Sequence, residues 1–337
     1  MPCTSLLDML SIEFPIIQAP IGSAASPPLA AAVSNAGGLG MLALSWKDLP
    51  AIRREIRDTR ELTSRPFGVN LVLEWDQRQR LDACLEEKVP VVSFSWGDPG
   101  PYLPAARSSG VKTMQTVGSA ADARRAVGLG IDIVVAQGWE AGGHVLGQVA
   151  TMALVPAVVD AVSPVPVVAA GGIADGRGLA AALALGAAGV WIGTRFLASE
   201  EAFVHHRYRE AIFKARETDT VYTTLFDGGW PNAPHRVIQN STVDHWRSAG
   251  SPLAGRRPAE GSVVAQFADG RPVHLYDDAI PLPGMTGEME RLALYAGQSV
   301  GLVNERKPAG RIVQEIVEDA GRAFRSIALL SRQGTAS

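Results

Sequence analysis

The chain has 337 residues, 47% hydrophobic and 19% charged, with a formal net charge of −3. That length and apolar content suit one large or two modest domains with a sizeable core. Lys and Arg number 31 against 34 Asp and Glu, so there is no basic excess and nucleic-acid binding is disfavoured.

Two cysteines, Cys3 and Cys84, are too few for a disulfide framework or a structural zinc site, and they fit a reduced, cytoplasmic setting. The opening MPCTSLLDMLSIEF has no basic n-region and no long apolar core, so it does not read as a secretory signal. From Phe14 to Trp46 there is no charge at all. Pro15, Pro20, Pro27, Pro28, Gly22, Gly37, Gly38 and Gly40 divide that stretch, whereas a membrane-spanning helix needs about 20 largely uninterrupted apolar residues. The stretch reads as soluble core.

Short apolar runs then alternate with helical stretches. Strands are expected at Ile16–Ala19, Gly40–Ala43, Phe67–Val72, Val91–Phe94, Lys112–Thr116, Ile133–Ala136, Val167–Ala170 and Gly189–Ile192. Helices are expected at Pro28–Ala36, Lys47–Leu62, Gln77–Glu87, Tyr102–Ser109, Ala120–Gly128, Ala153–Val162, Gly178–Leu185 and Glu200–Arg216. The strands lack clean alternation, as expected when helices bury both faces. Eight βα units in about 200 residues point to an α/β fold of the (β/α)₈ TIM-barrel type. An open doubly wound sheet is the alternative. It would usually carry a phosphate fingerprint after the first strand, and QAPIGS is not one.

The pattern changes near Thr218. Residues 218–287 are rich in turn formers, as in GGWPNAPHR and PLPGMTG, and read as an accessory or lid region over the barrel mouth. Residues 1–217 and 288–332 are assigned to the barrel domain. Helical pattern returns at Glu288–Leu302, and an amphipathic helix follows Pro308, with Ile312, Val313, Ile316, Val317, Ala320, Ala323, Phe324 and Ile327 on one face. Gln333–Ser337 reads as a frayed tail.

Chemistry concentrates where strands end. After the sixth strand comes AQGWEAGGHVLG, with Gly138, Gly142, Gly143 and Gly147 around one ionisable base, His144. A strand running into glycines and a single histidine looks like a βα loop that carries chemistry. Two glycine corners follow the seventh and eighth strands, at Ala170-Gly171-Gly172 and Gly193-Thr194. Backbone N–H groups and a helix N-terminus often hold a phosphate there. Ala19, Pro20 and Ile21 end the first strand, Asn70 lies in the third, and Gln115 and Gln137 end the fifth and sixth. Neutral amides and backbone groups converging on one mouth suit a flat heteroaromatic ligand and not a metal.

Other features carry less. His205 and His206 are adjacent on an expected helix, so they point about 100° apart and cannot share a metal. Gly38-Leu39-Gly40 precedes a strand and is no dinucleotide fingerprint. No Ser or Cys sits in a nucleophile elbow. Trp230 and His235 in GWPNAPHR could face the mouth, with packing and capping the favoured roles. Trp46, Trp75 and Trp96 follow strands two, three and four and could wall an apolar pocket or pack the core.

The segments QAPIG, AGGLGML, PFGVNL, AQGWEAGGH, AAGGIADGRG and GTRF, in this order, resemble the nitronate monooxygenases, formerly called 2-nitropropane dioxygenases. LYAGQSVGLVNE extends the resemblance loosely. That family consists of FMN-dependent barrels. Its superfamily also holds FMN-dependent enoyl-acyl-carrier-protein reductases and NADH:quinone reductases. The resemblance implies FMN as cofactor, with its phosphate at the Ala170-Gly171-Gly172 and Gly193-Thr194 corners. It implies that Asn70 and Gln115 approach the flavin and that His144 is the catalytic histidine. Ala19, Pro20, Ile21, Gln137, Gly142 and Gly143 complete the expected cofactor site. Trp191 stands where relatives often carry a smaller or polar residue. The implied reaction is oxidation of alkyl nitronates, and of nitroalkanes with His144 as base, by O₂ to carbonyl compounds and nitrite. The alternative is an NAD(P)H-dependent flavin reductase acting on an enoyl thioester or quinone. Non-enzymatic flavin binding is a third reading, and His144 argues against it. No metal, nucleic acid or membrane partner is expected, and a homodimer is compatible with the reading.

Overall fold

A computed structural model describes residues 5–333, with side chains through residue 328. Cys3 and residues 334–337 of the expected tail lie outside the described residues. Eight parallel strands form the centre: β1 (Ile16–Gln18), β2 (Gly40–Ala43), β3 (Phe67–Val72), β4 (Val91–Ser95), β5 (Lys112–Val117), β6 (Ile133–Gln137), β7 (Val167–Ala170) and β8 (Gly189–Ile192). Each expected strand is present within one residue of its bounds. From β2 to β8 each strand pairs with its sequence neighbour, and β8 pairs back to β1 in parallel. The seam between β1 and β2 closes through a bridge at Ile17 and Leu39, where Leu39 N–H donates to Ile16 O at 2.9 Å. Gln18 is buried at this seam, its Oε1 accepting from Met41 N–H at 2.9 Å. The chain is therefore a (β/α)₈ barrel.

Alternation along the strands divides the core in two. Ile17, Met41, Val91, Met114, Ile133, Val135, Val168 and Trp191 fill the barrel interior, and Leu6 and Leu10 pack onto them from a short helix, Leu6–Leu10. Neighbouring strand residues such as Ile16, Val69, Phe94, Val134 and Val190 pack outward against the helices. The short first helix was not expected. It is capped by Ser5, whose Oγ accepts from Asp8 N–H at 3.2 Å.

Two helical expectations fail, for visible reasons. Glu200–Arg216 is a helix only over His206–Lys214. Before it, Glu200 N–H donates to Lys307 O and Phe203 N–H to Ala24 O, so the backbone is committed elsewhere, and the His205 ring caps the helix by accepting from Arg207 N–H. Glu288–Leu302 contains two short 3₁₀ turns, Met289–Arg291 and Gln298–Leu302, with extended chain between them. There Ile238 N–H donates to Leu294 O and Ala296 N–H to Arg236 O, so tertiary pairing replaces helix bonds. The helix after Pro308 runs from Ala309 to Gln333. Its face is buried at Ile312, Val313, Ile316 and Ala320, but Phe324 and Ile327 are exposed.

Residues beyond 217 form two small antiparallel sheets. Strands Thr220–Thr223 and His235–Ile238 pair with each other, and the second also pairs with Gly143–His144 from the loop after β6. Val263–Gln266, Pro272–His274 and Thr286–Gly287 make the other. Val221, Phe226, Val264, Val273, Tyr276 and Met289 belong to an apolar cluster separate from the barrel core. Among the described residues no helix is long and apolar enough to cross a membrane.

Candidate active site

A cavity of about 450 Å³ opens at the C-terminal ends of the strands. This is the end of a (β/α)₈ barrel where loop residues can converge without disturbing the packed interior. Ala19, Pro20, Ile21, Asn70, Gln137, Gly142, Gly143, His144, Ala170, Gly171, Gly172, Gly193 and Thr194 all line it. Gln115 does not. It lies on the opposite parity of β5 from Met114, which fills the barrel interior, and its Nε2 reaches Gly97 O at 3.4 Å. The cavity residue of that strand is Thr116. A one-residue step along a strand reverses the side chain's face, which sets Gln115 apart from the cavity-lining residues. Asn70 keeps the expected position; its Nδ2 donates to Ser93 O at 3.2 Å, and Trp191 forms part of the cavity wall.

At the two glycine corners, Gly171 and Gly172 have φ of +104° and +70°, a region open to glycine at little cost. Among the described residues the N–H groups of Gly171, Gly172, Gly193 and Thr194 donate to no backbone or side-chain acceptor. These are the donors an anion would find. The following helix, Gly176–Ala184, does not add its N-terminus, because Asp175 already accepts from Arg177 and Gly178 N–H. Thr194 Oγ1 accepts from Gly297 N–H at 3.0 Å, which leaves its hydroxyl proton free to donate.

Several ties fix His144. Gln137 ties the loop with one donor and one acceptor: Nε2 donates to His144 O at 3.0 Å and Oε1 accepts from Leu146 N–H at 3.1 Å. Its role is thus to hold the loop. His144 also pairs in register with His235 across the small sheet. The buried Arg236 lies 4.7 Å over the Trp139 ring and donates from Nη2 to Trp139 O at 2.8 Å. Gly142 passes so close to the Ala296–Gly297 backbone that no Cβ would fit.

The environment of His144 sets its chemistry. Burial, with a smaller contribution from nearby His235, pushes its pKa down to about 3, so the ring is neutral at ordinary pH. Its Nε2 is buried without a hydrogen-bond partner and lies 3.9 Å from Asp278 Oδ2. Asp278 lies in the 218–287 region, and burial raises its pKa to about 7 against the opposing hydrogen bond from Tyr295. The Tyr295 hydroxyl donates to Asp278 Oδ1, and the Tyr208 hydroxyl donates to Tyr295 O at 2.6 Å. His235 is structural: Nδ1 sits 2.9 Å from Ala233 O and Nε2 accepts from Phe226 N–H at 3.3 Å, the arrangement of a neutral ring.

Trp46, Trp96 and Trp230 wall the outer cavity, and Trp75 packs against Trp46 and Trp230. Trp230 stacks on His144 with ring centroids 4.0 Å apart, and it contacts Trp46, Trp75 and Trp96 at 6.3, 5.1 and 4.9 Å. Packing was the favoured role for Trp230, yet it also lines the cavity. Sequence reasoning missed Asp278 and Tyr295 altogether. Tyr295 was legible within LYAGQSVGLVNE, whereas the Asp277-Asp278 pair in a turn-rich stretch offered only an acidic dipeptide between apolar residues. Among the described residues no group of three or more His, Cys, Asp or Glu could hold a metal ion.

Comparison with known proteins adds to this geometry. The family model described as "Nitronate monooxygenase" matches residues 4–79 and 73–319. The chain is 39% identical over 249 residues to the (3aS,4S,5R,7aS)-5-hydroxy-7a-methyl-1-oxo-octahydro-1H-indene-4-carboxyl-CoA dehydrogenase of Rhodococcus jostii RHA1, covering 74% of this chain and 69% of the relative. A probable nitronate monooxygenase of Staphylococcus aureus strain Newman is 36% identical over 269 residues, covering 66% and 76%. Among solved structures, FabK from Thermotoga maritima superposes with a TM-score of 0.80 at 35% identity, covering 96% of this chain and 97% of that one. Nitroalkane oxidase from Streptomyces ansochromogenes gives 0.77 at 28% identity, covering 96% and 99%.

Proposed function

This chain belongs to the nitronate monooxygenase family, an oxidoreductase family of FMN type, and on that footing we propose that it oxidises nitroalkanes and their nitronates with O₂ to carbonyl compounds and nitrite. The observation that carries the reading is a neutral imidazole at the cavity wall, His144, with a buried carboxyl beside it. A neutral imidazole can take a proton from the carbon next to a nitro group, which must lose it before electrons can leave.

The residues fit FMN. The unpaired N–H groups of Gly171, Gly172, Gly193 and Thr194 suit one phosphate, and the positive φ at Gly171 and Gly172 leaves those donors uncovered. The strand ends with Asn70, Ala19 and Ala170 offer a flat neutral bed. Bound FMN would supply the electron transfer; the protein's own part is to orient the substrate, hold the proton and exclude water. We further read residues 218–287 as a lid over the barrel of 1–217 and 288–332. Its separate apolar cluster and its contribution of Trp230, Asp278 and Ile280 to the cavity support this.

One observation favours a second reading. No Lys or Arg lines the cavity among the described residues, and its ionisable carboxyl, Asp278, would repel an anion. An anionic nitronate therefore finds no cationic partner, whereas a neutral nitroalkane or a neutral carbonyl substrate meets no such cost. A dehydrogenase or NAD(P)H-dependent reductase of an apolar carbonyl compound fits that lining. Anaerobic mixing separates the readings. Bleaching of the oxidised flavin by nitroalkane, lowered about 10²–10⁴-fold in His144→Ala, supports the first. The loss should be smaller on preformed nitronate, which needs no base. Rapid bleaching by NAD(P)H with no response to either nitro substrate would overturn it.

A further inference from the structure

We propose that Asp278 is the positioning partner of His144: its carboxylate holds the imidazole proton on Nε2 and leaves Nδ1 as the base that meets the substrate. This rests on the assignment of His144 as the proton acceptor. The two ring nitrogens are unequal. Nε2 is buried, unpartnered and 3.9 Å from Asp278 Oδ2. Nδ1 is not among the buried unpartnered atoms and has no described hydrogen bond, so it is the nitrogen left to the cavity. A neutral imidazole carries one proton, and the carboxylate side is where that proton is stabilised.

The rest of the cluster is arranged to aim Asp278. Its Oδ1 accepts from the Tyr295 hydroxyl, which leaves Oδ2 for the ring. Tyr295 is anchored by the Tyr208 hydroxyl on its backbone oxygen. Asp277, whose charge adds to the rise of the Asp278 pKa, is tied to His274, its Oδ2 accepting from His274 N–H at 2.7 Å and lying 3.5 Å from His274 Nδ1. His235, on the other flank of His144, is kept neutral by burial, with its ring fixed between Ala233 O and Phe226 N–H. These are the titratable groups described against the pair. The proton balance is simple. The substrate C–H bond breaks, its electron pair stays with the substrate carbon, and the proton joins Nδ1. The imidazolium so formed has the Asp278 carboxylate as counter-ion, and product release is followed by loss of that proton to solvent. Protonated Asp278 cannot serve as counter-ion, so the unit acts as a base only when Asp278 is ionised. Burial raises the Asp278 carboxyl to about 7 and lowers His144 to about 3, so the pair as a unit titrates near neutrality, and that titration needs the Asp278 carboxyl.

The test uses the flavin-loaded enzyme. The kcat/KM for a neutral nitroalkane should rise with pH through one ionisation near neutrality. In Asp278→Asn that limb should vanish, with activity lowered roughly 10²-fold or more. In Tyr295→Phe the carboxylate loses a donor and the limb should move to higher pH. As a readout independent of turnover, ¹⁵N NMR of His144 should show the proton on Nε2 and a shift that titrates with Asp278, and this titration should be absent in Asp278→Asn. An unchanged limb and an unchanged His144 titration in Asp278→Asn would overturn the proposal. If that variant fails to fold, an unmoved limb in Tyr295→Phe does the same. Were nitroalkane not a substrate at all, the functional reading would fail, while the NMR titration would still decide whether the two groups are coupled.

Discussion

Gly172→Asp tests the assignment of the anion site. Gly172 has φ +70°, and a Cβ built there meets nothing closer than Glu140 Cβ at 3.6 Å, an ordinary contact. The cost to the fold is therefore mainly the left-handed backbone, about 1–2 kcal/mol for an L-residue and least for Asp or Asn. Glu140, whose carboxylate is held by the N–H and hydroxyl of Thr151, adds a like-charge term to the new Asp. The cost to an anion is larger. Two unit charges about 4 Å apart at an effective dielectric of about 20 repel by about 4 kcal/mol, close to 10³-fold in affinity, and salt will reduce this at so open a corner. Gly172→Ala carries only the backbone term and serves as control. The assay is flavin binding to apoprotein by fluorescence quenching, with FMN and with riboflavin, which lacks the phosphate. In Gly172→Asp the preference for FMN over riboflavin should collapse, while urea denaturation shows a folded protein. A variant that keeps the wild-type preference would place the phosphate elsewhere and refute the reasoning.

Two further predictions follow from the geometry. Gln115→Leu should leave flavin affinity within about threefold of wild type, because its amide lies outside the cavity and gives up only one long hydrogen bond worth about 1 kcal/mol or less; a large loss of flavin affinity would show that the face assignment of β5 is wrong. Stability should fall on acidification. The histidine at 235, at about 4 by burial, and His144, at about 3, both bind fewer protons folded than unfolded, so stability is lost as pH falls from about 6.5 toward 4. Asp278, raised to about 7, acts with the opposite sign between its ordinary range and neutrality, so Asp278→Asn should steepen the wild-type pH dependence of the urea midpoint. A flat midpoint from about pH 6.5 to 4 would argue against two buried neutral rings.

The sequence alone determined the barrel. Each strand is a short apolar run bounded by turn residues, and burial on both faces is a local property that composition registers. Lone features with strong local chemistry were legible too: His144 among glycines, and the paired corners at Gly171-Gly172 and Gly193-Thr194. What tertiary structure decided is which face and which partner. Gln115 and Thr116 are neighbours with equal claim on a mouth, and only the strand's register sends the second inward. Gln137 lines the cavity as a mouth amide should, and only the fold of its loop brings His144 O and Leu146 N–H within its reach as well. Residues 292–297 read as helix because helical periodicity is local, yet their backbone groups pair with Arg236 and Ile238, a competition no window of sequence displays. The carboxyl beside His144 lies 134 positions along the chain, at Asp278, and the tyrosine that orients it is Tyr295. Long-range proximity of this kind costs chain entropy that only the folded barrel and its overlying sheets repay, so it leaves no periodic or compositional trace in the sequence.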